Sequence, residues 1–251
     1  MTERTIKLVL EYDGAGFAGW QVQPGERTVQ SELESSLRTL CGEDISTVAA
    51  GRTDAGVHAL GQAVSFRTAG DRTCRVFVNG LNALLPEDVS VTSADEMPSD
   101  FHARRSARGK WYKYVIREGA VRSALLRGRS WEVPWGLDLD AMRQAAKCLI
   151  GTHDFSSFRS STCEAKSPVR EMRRIELFRD AGGCLVMLFW GQAFLKQMVR
   201  AIVGTLVEAG RGKISAADVE DILFKKDRTL AGPTAPAQGL YLVKVDYWEE
   251  T

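Results

Sequence analysis

Three histidines in 251 residues, His58, His102 and His153, are too few and too scattered to build a transition-metal centre from local spacing. The five cysteines, Cys41, Cys74, Cys148, Cys163 and Cys184, form no C-x-x-C pair and are odd in number. They read as reduced, mostly buried thiols of a cytoplasmic protein rather than a disulfide framework. No apolar run approaches the ~18 residues of a membrane span. The first residues, MTERTIKLVLEYDG, pass straight into an alternating strand with no signal-peptide pattern. Net charge is nearly absent as well, at +1. What remains is a chain that is 44% hydrophobic, which gives a real core, in a length that suits one large domain or two ordinary ones.

The near-neutral balance hides an uneven distribution. Residues 101 to 130 hold nine basic residues (Arg104, Arg105, Arg108, Lys110, Lys113, Arg117, Arg122, Arg127, Arg129) against one acid, Glu118, a net of +8. Arg170, Arg173 and Arg174 form a second cluster. Such runs are often no more than solvated faces. The alternative is an electrostatic footprint for a polyanion, most commonly nucleic acid.

Periodicity divides the chain into two successive halves, 1–105 and 106–251, alike in the order of their elements but not in sequence. Ile6, Leu8, Leu10 and Tyr12 alternate as a half-buried strand that ends in the turn DGAGFAGW. Thr28 opens a helix carrying Val29, Leu33, Leu37 and Leu40, closed by Gly42. Short strands are predicted near 45–50 and 62–67, a helix over 75–85 and an extended run over 88–94. In the second half KWYKYVI (110–116) alternates again, and Asp138 caps a helix from Leu139 to Leu149 with Gly151 behind it. Strands over 171–179 and 184–191 are joined by DAGG. A helix carrying Leu195, Met198, Val199, Ile202, Val203, Leu206 and Val207 ends at Gly210. Ser215 and Asp218 make a capping box for a last helix, and GLYLVKVDYW closes the chain as a strand. The order points to an α+β architecture, helices on one side of a mostly antiparallel sheet, with a cleft between the halves as the natural ligand site.

AAGRTDAGVHALGQ (49–62) does not read like packing. Asp54 stands among Ala49, Ala50, Gly51, Ala55, Gly56 and Ala59, with little bulk to shield it. An Asx turn or helix cap is one explanation of an aspartate beside glycine. A functional loop is the other. Gly51 and Gly56 let backbone or a planar ligand approach, Arg52 lies two positions before the acid, and the segment joins two predicted strands.

GRTDAGVHALGQAVSF resembles the signature of the TruA family of tRNA pseudouridine synthases. The likeness continues, in the family's order, through YDGAGFAGWQVQ, NALLPEDV, FHAR, KWYKYVI, GTHDFSSF, SPVR, FLKQMVRAIVGTLVEAG and AGPTAPAQGLYLVKVDY, nearly the whole chain. The resemblance implies two ferredoxin-like, RRM-like halves in a pseudouridine synthase fold. It implies isomerisation of uridine to pseudouridine at positions 38, 39 and 40 of the tRNA anticodon arm, without cofactor or metal, by a cytoplasmic homodimer in which one tRNA touches both subunits.

Residue by residue, the resemblance makes Asp54 the essential catalyst and Arg52 a handler of the flipped nucleotide. Tyr112 matches the active-site tyrosine, although Lys110 and Trp111 precede it where the family more usually has an arginine, and Tyr114 lies two residues away on the same face. Arg200 matches the arginine that pairs with the aspartate. Phe155 is a further candidate for the nucleotide pocket, with core packing its alternative. His58 reads as structural. Arg104, Arg105, Arg108, Lys110 and the arginines of 122–129 are expected along the phosphate backbone, in RNA recognised largely by shape. Two other classes compete: a non-catalytic RNA-binding module, which leaves Arg52 and Asp54 idle, and an aspartyl hydrolase, which usually wants a metal or a second acid nearby.

Overall fold

The computed structural model describes residues 3–247, which form two compact units: residues 3–108 with 241–247, and residues 109–240. The first begins with β1 (Arg4–Tyr12), whose inward set Ile6, Leu8, Leu10 and Tyr12 is buried as the alternation requires. Then follow α1 (Val29–Cys41), β2 (Val48–Ala49), β3 (His58–Thr68), α2 (Cys74–Leu84) and β4 (Val89–Met97). Thr28 caps α1 in a reciprocal box with Ser31, and Gly42 ends it in the left-handed conformation at φ 73°. The strands pair antiparallel as β4–β1–β3–β2, the order of a ferredoxin-like β-α-β-β-α-β unit. In α1, Val29, Leu33 and Leu37 are buried, as are Phe77 and Leu81 in α2.

The second unit contains β5 (Gly109–Glu118), β6 (Trp131–Val133), α3 (Leu139–Ala146), β7 (Gly151–Asp154), β8 (Val169–Arg179), β9 (Leu185–Gly191), α4 (Met198–Gly210) and α5 (Ala216–Lys225). Its sheet runs β5–β9–β8–β7 antiparallel, with β6 added parallel to β5. α3 packs against α4, α5 and β8. The last strand, β10 (Leu240–Asp246), was assigned by sequence order to the second half. From Tyr241 onward it belongs with the first unit, pairing parallel to β3 through Tyr241–His58 and Leu242–Ala59. The architecture is mixed α/β with mostly antiparallel pairing. Among the described residues, no helix is long and apolar enough to cross a membrane.

Candidate functional site

The aspartate segment leaves β2 at Ala49 and re-enters the sheet at His58. Between them it makes a turn in which Val57 N donates to Asp54 O at 3.1 Å and Gly56 takes φ 76°. The loop is clamped by the connection that follows β1. Trp20 N donates to Thr53 O at 3.1 Å, and Gly56 N donates to Phe17 O at 3.3 Å. The clamp needs glycine at position 19. Gly19 adopts φ 105°, and a Cβ there would stand 2.8 Å from Thr53 O. The turn DGAGFAGW and the aspartate loop are therefore one packed object, although the 28 residues 21–48 separate them in the chain.

A second set of contacts grips the same loop from inside. The Tyr12 hydroxyl and Thr53 Oγ1 share a buried hydrogen bond of 2.8 Å, and Gln62 Nε2 donates to Gly51 O at 2.7 Å. Burial pushes the Tyr12 phenol up to about 12, so it stays protonated at physiological pH. Thr53 is 7% exposed, whereas Asp54 beside it is half-buried and Arg52 is exposed. Main-chain and interior contacts thus fix the residues on both sides of the half-buried Asp54. Tyr12→Phe should leave the Thr53 hydroxyl without that partner, costing about 1–2 kcal/mol, or roughly 2–8 °C in the unfolding midpoint. Calorimetry of the two proteins checks this, and an unchanged midpoint would show that the contact holds nothing in place.

His58 is interior. It is 2% exposed, stacks on Tyr241 at 4.7 Å between centroids, and accepts Gly14 N–H on Nδ1 at 3.0 Å, with Asp13 Oδ1 3.1 Å away. Its place is structural, as the sequence suggested.

In the second unit, the two tyrosines of β5 are both buried, in different surroundings. Tyr114 is fully buried, its hydroxyl donates to Pro236 O at 2.7 Å, and its ring meets Trp131 edge-on. Burial drives its pKa far upward, against the lowering influence of the Arg200 guanidinium. Tyr112 is 7% exposed and packs edge-on against Phe194 at 4.9 Å. Tyr114 is committed to the core, and Tyr112 stays the candidate. Arg200, in the first turn of α4, is half-buried and bound both ways to one residue. Its Nε donates to Ala235 O at 2.7 Å while its own carbonyl accepts Ala235 N–H at 3.0 Å. Gln197, the residue before α4, holds a left-handed φ of 60°, a strained start to a helix.

Of the expected RNA-contacting residues, Phe155 takes its core-packing alternative and Lys110 sits differently from the sequence reading. Phe155 is wholly buried against His153 and Phe158, so its ring offers no surface to a nucleotide. Lys110 is 8% exposed and shares the buried face of β5 with Tyr112 and Tyr114, so it is not an open phosphate-binding cation. The alternation that made KWYKYVI legible as a strand turns Lys110 to that inner face. Arg104, Arg105 and Arg108 are exposed and make no ion pair among the described residues. His102 Nδ1 shapes their turn by accepting Arg104 N–H and Arg105 N–H at 3.2 and 3.3 Å. Partial burial and the neighbouring Arg105 lower the His102 pKa, which keeps that nitrogen an acceptor. Among the described residues, no three of His, Cys, Asp and Glu gather into a metal-binding group.

Residues 8–104 and 145–248 match the family model for tRNA pseudouridine synthase. A Myxococcus xanthus protein named tRNA pseudouridine synthase A is 48% identical over 242 residues, covering 96% of this chain and 91% of its own. Proteins of the same name from Geobacter sulfurreducens and Acetivibrio thermocellus are 47% and 45% identical, each over 97% of this chain and 100% of their own. Among solved structures, the archaeal box H/ACA sRNP Nop10-Cbf5 complex is similar at a TM-score of 0.35 and 11% identity, over 90% of this chain and 60% of that one.

Proposed function

This chain belongs to the tRNA pseudouridine synthase family, and from that premise we propose that it isomerises uridine at positions 38, 39 and 40 of the tRNA anticodon arm. Asp54 is the catalyst of this reading, Tyr112 and Arg200 serve the same reaction, and Arg52 handles the everted nucleotide. The enzyme is an isomerase acting on tRNA. The observation that carries the residue assignment is the clamped loop. Backbone bonds from Phe17 and Trp20 and the Tyr12–Thr53 contact hold the half-buried Asp54 on a rigid support.

The chemistry suits those residue types. The N1–C1′ bond breaks, the uracil turns over, and C5 joins C1′. The C5 proton then leaves to solvent, and N1 ends protonated. No electrons are gained or lost overall, so the reaction needs no redox partner. A carboxylate serves either as a nucleophile on the sugar or as a base on it, and both roles need it ionised. The part assigned to Tyr112 in this reading is to contact the uracil and assist removal of the C5 proton. The base must leave its helix first, at a cost of a few kcal/mol that stacking and hydrogen bonds offset. The homodimer and the cytoplasm belong to the same proposal, supported by the resemblance of the sequence blocks.

The direct test is tritium release from tRNA carrying 5-tritiated uridine, followed by mapping of the product positions. Release with new pseudouridine at 38–40 is expected; release mapped elsewhere would overturn the positional assignment. The exposed arginines give a second test. Arg104→Glu with Arg108→Glu should weaken tRNA binding and flatten the dependence of log K on log salt by about 1.4 to 1.8 if each residue meets one phosphate. An unchanged slope in filter binding would remove these two residues from the footprint.

A further inference from the structure

The twelve residues between β5 and β6, GAVRSALLRGRS (119–130), carry three arginines and no acid. They are not a slack connection. Gly119 N donates to Val133 O at 2.9 Å, and Ser123 N donates to Glu132 Oε1 at 2.6 Å. Ser123 Oγ accepts Leu126 N–H at 3.2 Å, Leu126 O accepts Arg129 N–H at 2.9 Å, and Arg117 donates to Val121 O. This internally bonded loop holds two aliphatic side chains in water. Leu125 is 90% exposed and Val121 is 74% exposed, the two highest values among the large hydrophobic residues described. A single exposed leucine is ordinary on a protein surface. A leucine held out by an ordered loop, between the exposed Arg122 and Arg127 that make no ion pair among the described residues, is a different case.

We propose that loop 119–130 is a second RNA-contact element, in which Leu125 packs on a base or ribose face and Arg122 and Arg127 hold the flanking phosphates. The proposal rests on the tRNA reading above. RNA fits the loop because it offers apolar ring faces beside a phosphate chain, and the arginine-only charge complements it. Tyr112 lies six residues from the end of β5, about 20 Å at the strand's rise per residue. The loop therefore meets nucleotides other than the one being isomerised, which makes it a contributor to affinity and not to the chemical step.

The two kinds of contact separate by salt. With an unmodified whole-tRNA transcript, Leu125→Ala should weaken binding about fivefold to tenfold and leave the salt slope unchanged, because burial of an aliphatic group releases no counterions. Arg122→Gln with Arg127→Gln should weaken binding and lower the slope by about 1.4 to 1.8. Leu125→Met should restore most of the affinity. Leu125→Ala binding as tightly as the unaltered protein overturns the proposal and points the loop to a protein partner instead. That failure is distinct from failure of the enzymatic reading, in which the unaltered protein itself releases no tritium.

Discussion

Asp54→Asn should lower pseudouridine formation by about 10⁴-fold or more, the scale of loss when a reacting carboxylate is removed from an enzyme whose remaining groups are intact. The amide neither attacks the sugar nor takes a proton from it, yet it occupies nearly the same volume. The main-chain bonds of the loop and the Tyr12–Thr53 contact use other atoms and should persist. Val57 N donates to the Asp54 carbonyl, Trp20 N to the Thr53 carbonyl and Gly56 N to Phe17 O, and the Tyr12 contact is with Thr53. Affinity for tRNA should stay within about twofold of the unaltered protein, since phosphate contacts supply most of it. Tritium release measures the first quantity and filter binding the second. Turnover within tenfold of the unaltered enzyme, with binding intact, would exclude Asp54 as the catalyst. Loss of binding together with turnover would make the residue a fold or recognition element.

Much of this loop's support was hidden in the sequence for a physical reason. The glycines and the lone carboxylate of 49–62 were visible by composition, and Tyr12 was visible as an inward position of β1. That Tyr12 meets Thr53, 41 residues later, depends on the antiparallel register of β1 and β3, which no local pattern states. The strand after the motif was expected from 62, but β3 starts at His58. Nearly all of β3 is buried, so the period-2 contrast that reveals half-buried strands is missing from VHALGQAV. Caps were the most legible feature. Thr28 and Gly42 bound α1, and the Ser215–Asp218 box opens α5 as read. Two helices were misjudged at one end. α4 starts three residues after Leu195 because Gln197 turns left-handed, a conformation that glutamine does not advertise. α3 ends at Ala146 and tightens into a 3₁₀ turn through Leu149, and Gly151 then follows at φ 118°. β6 and β7, three and four residues long, were too short to leave a periodic signal. β10 was read as a strand, but its parallel partner lies about 180 residues earlier.

Gly204→Ala should destabilise the protein by about 3 kcal/mol, although helix propensity alone favours alanine by about 1 kcal/mol. Steric exclusion decides the sign. Gly204 lies within α4, and a Cβ there would stand 1.7 Å from Pro233 O, a backbone atom that cannot rotate aside. The segment AGPTAP lies against the helix at this point and is tied down on both sides. Gly232 N donates to Thr205 Oγ1 at 2.9 Å, Ala235 N donates to the Arg200 carbonyl at 3.0 Å, and Arg228 donates to Gly232 O and Thr234 Oγ1. A methyl group must push that segment off the helix or open these bonds. The unfolding midpoint should fall by roughly 6–12 °C. Gly136→Ala is the control. Gly136 is exposed with nothing within 4 Å of an added Cβ, and should change stability by no more than about 0.5 kcal/mol. Turnover at 25 °C should also drop in Gly204→Ala, well below its midpoint, because the displaced segment carries the Ala235 carbonyl that holds the Arg200 guanidinium. A midpoint at or above that of the unaltered protein would show that the helix and the segment do not approach this closely in solution. A lowered midpoint with undiminished turnover would separate Arg200 from the reaction and leave the close approach as packing alone.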